Sequence, residues 1–394
     1  MDKSQLKLKL SYILIITAII LGLLSGIGVK DLGKIILGVF VKASTRTTIL
    51  TVMMVSILGG LMKHYKILNN IVELMFNVIR NKKNILIILP AMIGVLIIPG
   101  GALLSAPFIN RIGEDMGLIP PRRAAINLVF RHIAMFFAPY STSLMIISSS
   151  FPSINIFKLI LLNSVFAIFM VLTGYFLYLK DIKTEVEPHK ENTGKIYLRL
   201  IILTAPIYLC VILNIVTGIP MYLTLFVSVL IVYFLSEKKD FIKAFIKSLN
   251  WNTTLTVTSI LFLKEIILNM EVVQIFFSNM FYNSNSMFTI IIIFFSTSLF
   301  FGFTTGNQAT SLAITLPMLS QLNLSIGSLY VYTYFVYCCA FLGYFFSPLH
   351  LCQAFTLQLM NVTTKELYKE YKYLGLTLIL ILFGTFFIFN FLLK

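Results

Sequence analysis

Long uninterrupted apolar runs dominate the chain. The hydrocarbon interior of a bilayer takes ~20 helical residues to cross, and blocks such as YILIITAIILGLL and TLILILFGTFFIFNFLL lack the apolar–polar alternation of a membrane β-barrel. The pattern predicts an all-α polytopic membrane protein with nine crossings. They lie at 9–29, 46–63, 123–150, 155–179, 197–216, 219–235, 252–270, 326–360 and 373–392. Two short amphipathic segments, 32–41 and 240–249, are predicted to lie at the membrane surface.

Two further apolar regions, 84–111 and 286–322, are each interrupted by glycine-rich sequence, IPGGALLSAP and GFTTGNQATS. The Lys and Arg residues indicate how these regions are placed, because cytoplasmic segments of membrane proteins are enriched in both. With the N-terminus in the cytoplasm, the basic segments fall on the cytoplasmic side only if each of these two regions returns to the side from which it entered. The basic segment 30–46 is an exception, since it would then lie outside. We therefore expect two re-entrant hairpins.

Four pairs of similar segments recur in the same order, about 205 to 209 residues apart. The pairs are 30–52 with 239–257, Thr47-Thr48 with Thr253-Thr254, 98–107 with 304–317, and 136–144 with 345–353. Each predicted repeat contains four crossings, one of them broken, and one hairpin. The extra helix at 197–216 makes the number of crossings between the repeats odd, so the repeats are expected to be inverted, as in secondary transporters. The expected units are 1–179, 180–218 and 219–394.

Composition narrows the class of protein. Of 394 residues, 58% are hydrophobic and 12% charged, with a mean hydropathy of +0.92, which excludes a soluble fold of this size. The net charge of +16 does not indicate a nucleic-acid partner, because the basic residues punctuate the ends of apolar runs. The four cysteines lie inside apolar runs without zinc-ligand spacing, and core packing is the expected role.

The four interruptions carry the candidate chemistry. A hairpin turn at mid-membrane leaves backbone N–H and C=O groups unpaired, and Pro139 and Pro348 break helices 123–150 and 326–360. The predicted solute- or ion-binding residues are Pro99, Gly100, Gly101, Ser105, Pro139, Tyr140, Ser141, Thr304, Thr305, Gly306, Asn307, Gln308, Ser347, Pro348 and His350. Glycine, serine and threonine are also common at plain helix contacts, which is the alternative interpretation for each one singly.

The interruptions contain no Asp or Glu. Such a site suits an anionic solute held by helix dipoles and hydroxyls, or Na⁺ held by neutral oxygens, with Thr305, Asn307 and Ser347 as the candidate Na⁺ ligands. The role of Arg131 stays open between an anion partner and a side chain extending to the cytoplasmic surface. For His132 an interior hydrogen-bonding role is expected, and the adjacent Lys264 and Glu265 mark either an ion path or the end of a helix.

The segments IPGGALLSAP, GFTTGNQAT and GYFFSPLHLC resemble an uncharacterised prokaryotic permease family of the ion-transporter superfamily. That superfamily also contains dicarboxylate/sodium symporters, gluconate and lactate permeases, arsenite carriers and Na⁺/H⁺ antiporters. The resemblance implies a homodimer in which an elevator-like transport domain, containing the hairpins and broken helices, moves against a scaffold. The dicarboxylate branch carries Ser-Asn-Thr signatures at its tips. The corresponding tips of this chain are Pro99-Gly100-Gly101 and Thr305-Gly306-Asn307. The resemblance therefore does not imply a dicarboxylate substrate.

The expected function is secondary active transport of a small anionic organic solute across the cytoplasmic membrane. Coupling to Na⁺ or H⁺ is expected, with no cofactor and no enzymatic activity. A Na⁺/H⁺ antiporter of the same fold is the first alternative, kept open by Glu265. An intramembrane enzyme is the second, although the chain lacks a His-Glu-x-x-His zinc signature.

Overall fold

A computed structural model of the protein describes residues 10–79, 81–95, 102–182, 193–238, 240–272, 274–275 and 286–393. Within these ranges the chain is all-helical. The helices are α1 Leu10–Leu24, α2 Val29–Val41, α3 Ala43–His64, α4 Ile67–Val78, α5 Lys82–Val95, α6 Ala102–Asp115, α7 Pro120–His132, a 3₁₀ turn Ile133–Phe136, α8 Thr142–Ser150, α9 Ile156–Tyr178, α10 Thr193–Thr217, α11 Met221–Leu235, α12 Phe241–Ser248, α13 Trp251–Asn269, α14 Met287–Thr305, α15 Gln308–Leu319, α16 Ile326–Phe346, α17 Leu351–Met360 and α18 Thr364–Leu393.

Six helical stretches in the described ranges are long and apolar enough to cross a bilayer: α3, α9, α10, α14, α18 and the broken helix α16–α17. These long apolar helices indicate a multi-pass membrane protein, in agreement with the predicted class. The predicted crossings 9–29 and 219–235 are apolar helices of 15 residues, α1 and α11, and are shorter than a full span. The region 252–270 forms the 19-residue α13, which is less apolar because it carries Thr, Asn, Lys and Glu side chains.

Helix α4 lies between the predicted crossing 46–63 and the interrupted region 84–111, in a stretch for which the sequence predicted no element. Its buried residues, Ile67, Leu68, Ile71, Val72 and Met75, recur on one face of a helix, while the other face is polar. The helix is too short to span a bilayer. The two predicted amphipathic segments are helical, as α2 and α12.

Both predicted broken helices appear as pairs of shorter helices. The first pair is α7, extended by the 3₁₀ turn, and α8, separated at 137–141 around Pro139. The second pair is α16 and α17, separated at 347–350 around Pro348. Proline removes a backbone donor and clashes with the preceding turn, which accounts for both interruptions. We call them the first break and the second break.

The two interrupted apolar regions also form packed helix pairs. Helix α5 packs on α6, and α14 packs on α15, so each region is a hairpin of two helices. Pro99, Gly100 and Gly101, at the predicted tip of the first hairpin, lie outside the described residues. The second arm of each hairpin packs against the second half of the broken helix from the other half of the chain: α6 on α17, and α15 on α8. This exchange brings both hairpins and both breaks into one region.

Burial separates the centre of the molecule from its lipid-facing periphery. The most apolar part of α16–α17 is 67% buried, whereas that of α10 is 17% buried. Helices that are buried all round belong to a core, and those with one buried stripe face lipid on the other side. Helix α7 is less apolar yet buries every residue from Arg123 to His132. Polar side chains on so deeply buried a helix are the first structural indication of a functional site.

Candidate functional site

The tip of the second hairpin is built by a glycine and an asparagine. Gly306 ends α14 in the left-handed conformation (φ +59°), which glycine adopts without a steric penalty. Asn307 then caps α15, its side-chain oxygen accepting a hydrogen bond from the Thr310 N–H at 3.1 Å. A Cβ at position 306 would lie 2.8 Å from the Leu349 carbonyl carbon. The tip is therefore seated directly on the second break.

Hydroxyl groups reinforce this contact. Ser347 donates to the Phe303 carbonyl at 2.5 Å and accepts from the Leu349 N–H at 3.1 Å. Thr305 donates to the carbonyls of Phe301 and Asn307. The candidate Na⁺ ligands Thr305, Asn307 and Ser347 thus lie together at the tip and break, where each already holds a hydrogen bond that shapes the backbone. Thr304 and Pro348 are exposed, and Thr304 donates back to its own helix at the Phe300 carbonyl.

The first break is fastened to the first hairpin in a similar way. Tyr140 is buried and its hydroxyl donates to the Val95 carbonyl at 3.0 Å, at the end of α5. Ser141 caps α8, accepting from the Leu144 N–H at 3.4 Å. Pro139 is buried beside them, and Ser105 is buried in the first turn of α6, donating to the Ala102 carbonyl at 3.4 Å. Each break therefore holds the adjacent hairpin by side-chain hydrogen bonds or backbone contact.

Gln308 joins the two halves of the chain. Only 2% of its surface is exposed; its amide oxygen accepts from the Ser143 hydroxyl at 2.8 Å, and its nitrogen donates to the Tyr337 carbonyl at 3.0 Å. The Tyr337 hydroxyl donates to the Met135 carbonyl at 2.7 Å, just before the first break. Since Gln308 begins α15 and Ser143 lies in the first turn of α8, the N-terminal ends of these two half-helices meet.

His350 contacts His132, a pairing that the sequence pattern does not predict. The Nε2 atoms of His132 and His350 lie 3.0 Å apart, and the Tyr344 hydroxyl lies 3.3 Å from the same His132 nitrogen. His132 Nδ1 is 2.6 Å from the Leu128 carbonyl and must donate to it, because a carbonyl only accepts. In the neutral pair, His350 Nε2–H then donates to His132. His350 Nδ1 is buried and makes no hydrogen bond of normal geometry, although the Phe345 backbone lies near the ring.

Arg131 lies beside this pair. It is 4% exposed, and its Nη1 has no hydrogen-bond partner. Its backbone is tight against the first hairpin, because a Cβ at Gly94 would lie 2.1 Å from the Arg131 carbonyl oxygen. The guanidinium is close enough to His132, His350 and Tyr344 to interact with them electrostatically. Arg131 and His132 thus join the site, and the only sequence signal was that both precede Pro139 in an apolar helix.

One cluster could hold a soft metal ion. The ligand atoms of His132, His350 and Cys352 all lie within 4.8 Å of one another. Histidine whose second ring nitrogen donates to a carbonyl, as His132 does, is a common arrangement around metals. A tetrahedral ion needs its ligands closer together than the widest of these separations, and the positive charge of Arg131 disfavours a cation here.

Lys264 and Glu265 form a separate polar cluster. Both are buried in α13 and lie 3.4 Å apart; Glu265 also pairs with Lys42, and Lys264 donates to the Ser149 hydroxyl at 3.1 Å. A cavity of about 690 Å³ also lies elsewhere, lined by Lys63, His64, Lys247 and Trp251 among others. Neither feature touches the two breaks.

The sequence was compared with curated proteins and with protein families. No curated protein matches the chain. The sequence matches a family described as "Protein of unknown function (DUF401)" over residues 4–388, which is nearly the whole chain. A match of that extent shows membership: the chain belongs to the DUF401 family, whose function its description leaves open.

Proposed function

We propose that this protein is a secondary active transporter for a small anionic organic solute, coupled to Na⁺ or H⁺. The observation that carries the proposal is the buried polar centre at which both hairpins and both breaks meet. Gln308 and Ser143 join the second hairpin to the first broken helix, and His132 and His350 join the two broken helices. Unwound backbone at this depth in a membrane protein is tolerated where it lines a binding site.

The charge of the centre supports an anion. The N-terminal, electropositive ends of α8, α15 and α17 face this region, and the positive potential of a helix N-terminus acts on groups close to its first turn. No Asp or Glu stands in the four interruptions. A solute with a negative charge is stabilised there, whereas a cation would need the neutral oxygens of Thr305, Asn307 and Ser347.

The proposal includes alternating access. In it, the two halves of the chain are inverted repeats in the cell membrane with a cytoplasmic N-terminus, and a homodimer provides the scaffold against which the hairpins move. The exchanged packing of α6 on α17 and α15 on α8 supports a pseudo-twofold arrangement. Arg131, His350 and Gln308 are all buried, so the solute reaches the centre only when the hairpins and breaks move apart.

The buried His350 Nδ1, which makes no hydrogen bond of normal geometry, supports H⁺ as one of the two candidate coupling ions. A proton bound at this nitrogen adds a second positive charge next to Arg131 and strengthens anion binding. The hydroxyl and amide oxygens at the second tip support Na⁺ instead. Comparing imposed Na⁺ and pH gradients separates the two.

The test is uptake by purified protein in proteoliposomes, with labelled mono-, di- and tricarboxylates. We expect accumulation of at least one anion that collapses when the Na⁺ and proton gradients are both dissipated. Gln308→Leu should lower this uptake because it disconnects α15 from α8, whereas Thr217→Ala, at an exposed position at the end of α10, should keep it. An absence of gradient-dependent flux across the whole panel would refute the proposal.

A Na⁺/H⁺ antiporter is the second candidate, and the buried Glu265 with its Lys42 and Lys264 partners is the observation in its favour. A Na⁺ pulse should then move protons, detected by an internal pH dye, and Glu265→Gln should abolish the signal. No observation favours an intramembrane enzyme: Ser347 donates to the Phe303 carbonyl and not to His350.

The inverted arrangement has its own test. Cysteine placed at Gly101 and at the exposed Thr304 should react with a membrane-impermeant reagent from opposite sides of the membrane. Reaction of both from the same side would contradict the inverted repeats and leave the transport assay unaffected.

A further inference from the structure

Arg131 has no ion-pair partner among the described residues. Its Nη1 is buried and makes no hydrogen bond, although a guanidinium can donate several. The other two arginines of α7 differ. Arg122 donates to the carbonyls of Tyr178 and Leu177, and Arg123 donates to the Asn110 carbonyl and pairs with Glu114 at 3.3 Å. Because an unpaired buried charge is strongly unfavourable, Arg131 is the group that a ligand would satisfy.

The interface between α7 and α17 contains another buried polar side chain, Gln353. Helices α7 and α17 pack against each other, joined by His132 with His350 at one end and by the Asn127 amide donating to Thr356 at 3.0 Å at the other. The two helices therefore run antiparallel, and Gln353 lies on α17 between these two contacts. Gln353 is 1% exposed and makes no hydrogen bond of normal geometry through either amide atom, although the Tyr368 hydroxyl lies near it.

The first turn of α17 faces the same interface. His350 occupies the cap position of this ten-residue helix, and its side chain makes no capping hydrogen bond to the helix. The N–H groups of the first turn of a helix have no acceptor within the helix, and they form a ready site for a carboxylate. Two features that favour an anion therefore lie beside His350: the uncapped helix end, and the Arg131 guanidinium, which is close enough to His350 to interact with it electrostatically.

We propose that Arg131, together with the first turn of α17, binds the carboxylate of the transported solute, and that the solute is a small monocarboxylate. This inference rests on the proposed function and identifies the residue that selects the solute. Arg131 supplies one positive charge, and no described carboxylate lies within ion-pair distance of it. One carboxylate neutralises that charge, whereas a second would be buried without a counter-charge.

The same charge argues against a metal ion at His132, His350 and Cys352. A divalent ion would add two positive charges beside an unneutralised guanidinium in a poorly solvated interior. Metal binding and monocarboxylate binding thus make opposite predictions about Arg131, because removing its charge would favour the metal and abolish the anion site.

The experiment measures the melting temperature of purified protein in detergent at pH 8. Sodium formate, acetate and lactate are titrated against succinate, citrate and ZnCl₂, with NaCl at equal ionic strength as the reference. We expect a saturable rise with at least one monocarboxylate and no rise above NaCl with succinate or citrate. Arg131→Gln should abolish the rise, and Arg131→Lys should raise the half-saturating concentration about 30-fold or more, since lysine keeps the charge without the bidentate geometry.

Arg123→Gln is the matched control, because it removes a buried arginine of the same helix that already has partners. It should leave the monocarboxylate response unchanged. A response that survives in Arg131→Gln overturns the proposal, as do a dicarboxylate response equal to the monocarboxylate one and a lack of response to every anion. Stabilisation by ZnCl₂ that is lost in His132→Ala would assign the cluster to a metal and would also overturn it.

Binding and flux separate this inference from the proposed function. Arg131-dependent binding without flux in proteoliposomes would refute transport and keep the anion site. Gradient-driven flux of an anion that is unchanged in Arg131→Gln would keep transport and refute the role of Arg131.

Discussion

The contact between the second tip and the second break can be tested at Gly306. Replacing it with alanine places a methyl group 2.8 to 2.9 Å from the carbonyl carbon, Cβ and carbonyl oxygen of Leu349. The left-handed backbone (φ +59°) by itself costs an alanine about 1–2 kcal/mol. The forced contact costs about 1–3 kcal/mol more, since the nearest atoms belong largely to backbone that cannot rotate away. The expected loss in free energy of unfolding is therefore about 2–5 kcal/mol.

Gly218→Ala supplies the matched control. Gly218 has nearly the same backbone conformation (φ +67°), but a Cβ there would meet nothing within 4 Å. Only the backbone cost of about 1–2 kcal/mol should appear. Unfolding of both variants by SDS in mixed micelles gives the difference, which should be about 1–3 kcal/mol. Equal destabilisation of the two variants would show that the tip is not seated on Leu349.

Two further predictions concern buried polar contacts. Gln308→Leu should cost about 1–3 kcal/mol of unfolding free energy, because the Ser143 hydroxyl loses its acceptor. A double-mutant cycle with Ser143→Ala should give a coupling energy of about 0.5–3 kcal/mol. Additive effects of the two substitutions would contradict the contact. Glu265→Gln should cost about 3–5 kcal/mol because it leaves the buried Lys264 charged and without its carboxylate, and Lys264→Met in the same chain should recover most of that loss in the same SDS titration. No recovery would mean that Glu265 acts mainly through Lys42.

Much of the secondary structure could be predicted because its causes are local. Apolar runs long enough to cross a bilayer identified the long helices, and prolines identified both breaks. The turn at Gly306 and Asn307 was predictable because a left-handed residue followed by a helix cap favours these two residue types. Helix α4 was missed for a local reason as well, since its basic flanks masked a two-turn apolar stripe.

The centre of the site depended on contacts between distant parts of the chain. His132 and His350 are 218 residues apart, and Gln308 and Ser143 are 165 apart. Periodicity and spacing report which face of a helix is apolar, and they carry no information on which helix covers that face. The sequence by itself determined the helical membrane class, the two interrupted apolar regions and the two broken helices. Only the packing of α7 against α17 decided that Arg131 lies buried beside the two histidines without a counter-charge, because burial and pairing are properties of the neighbours that tertiary structure supplies.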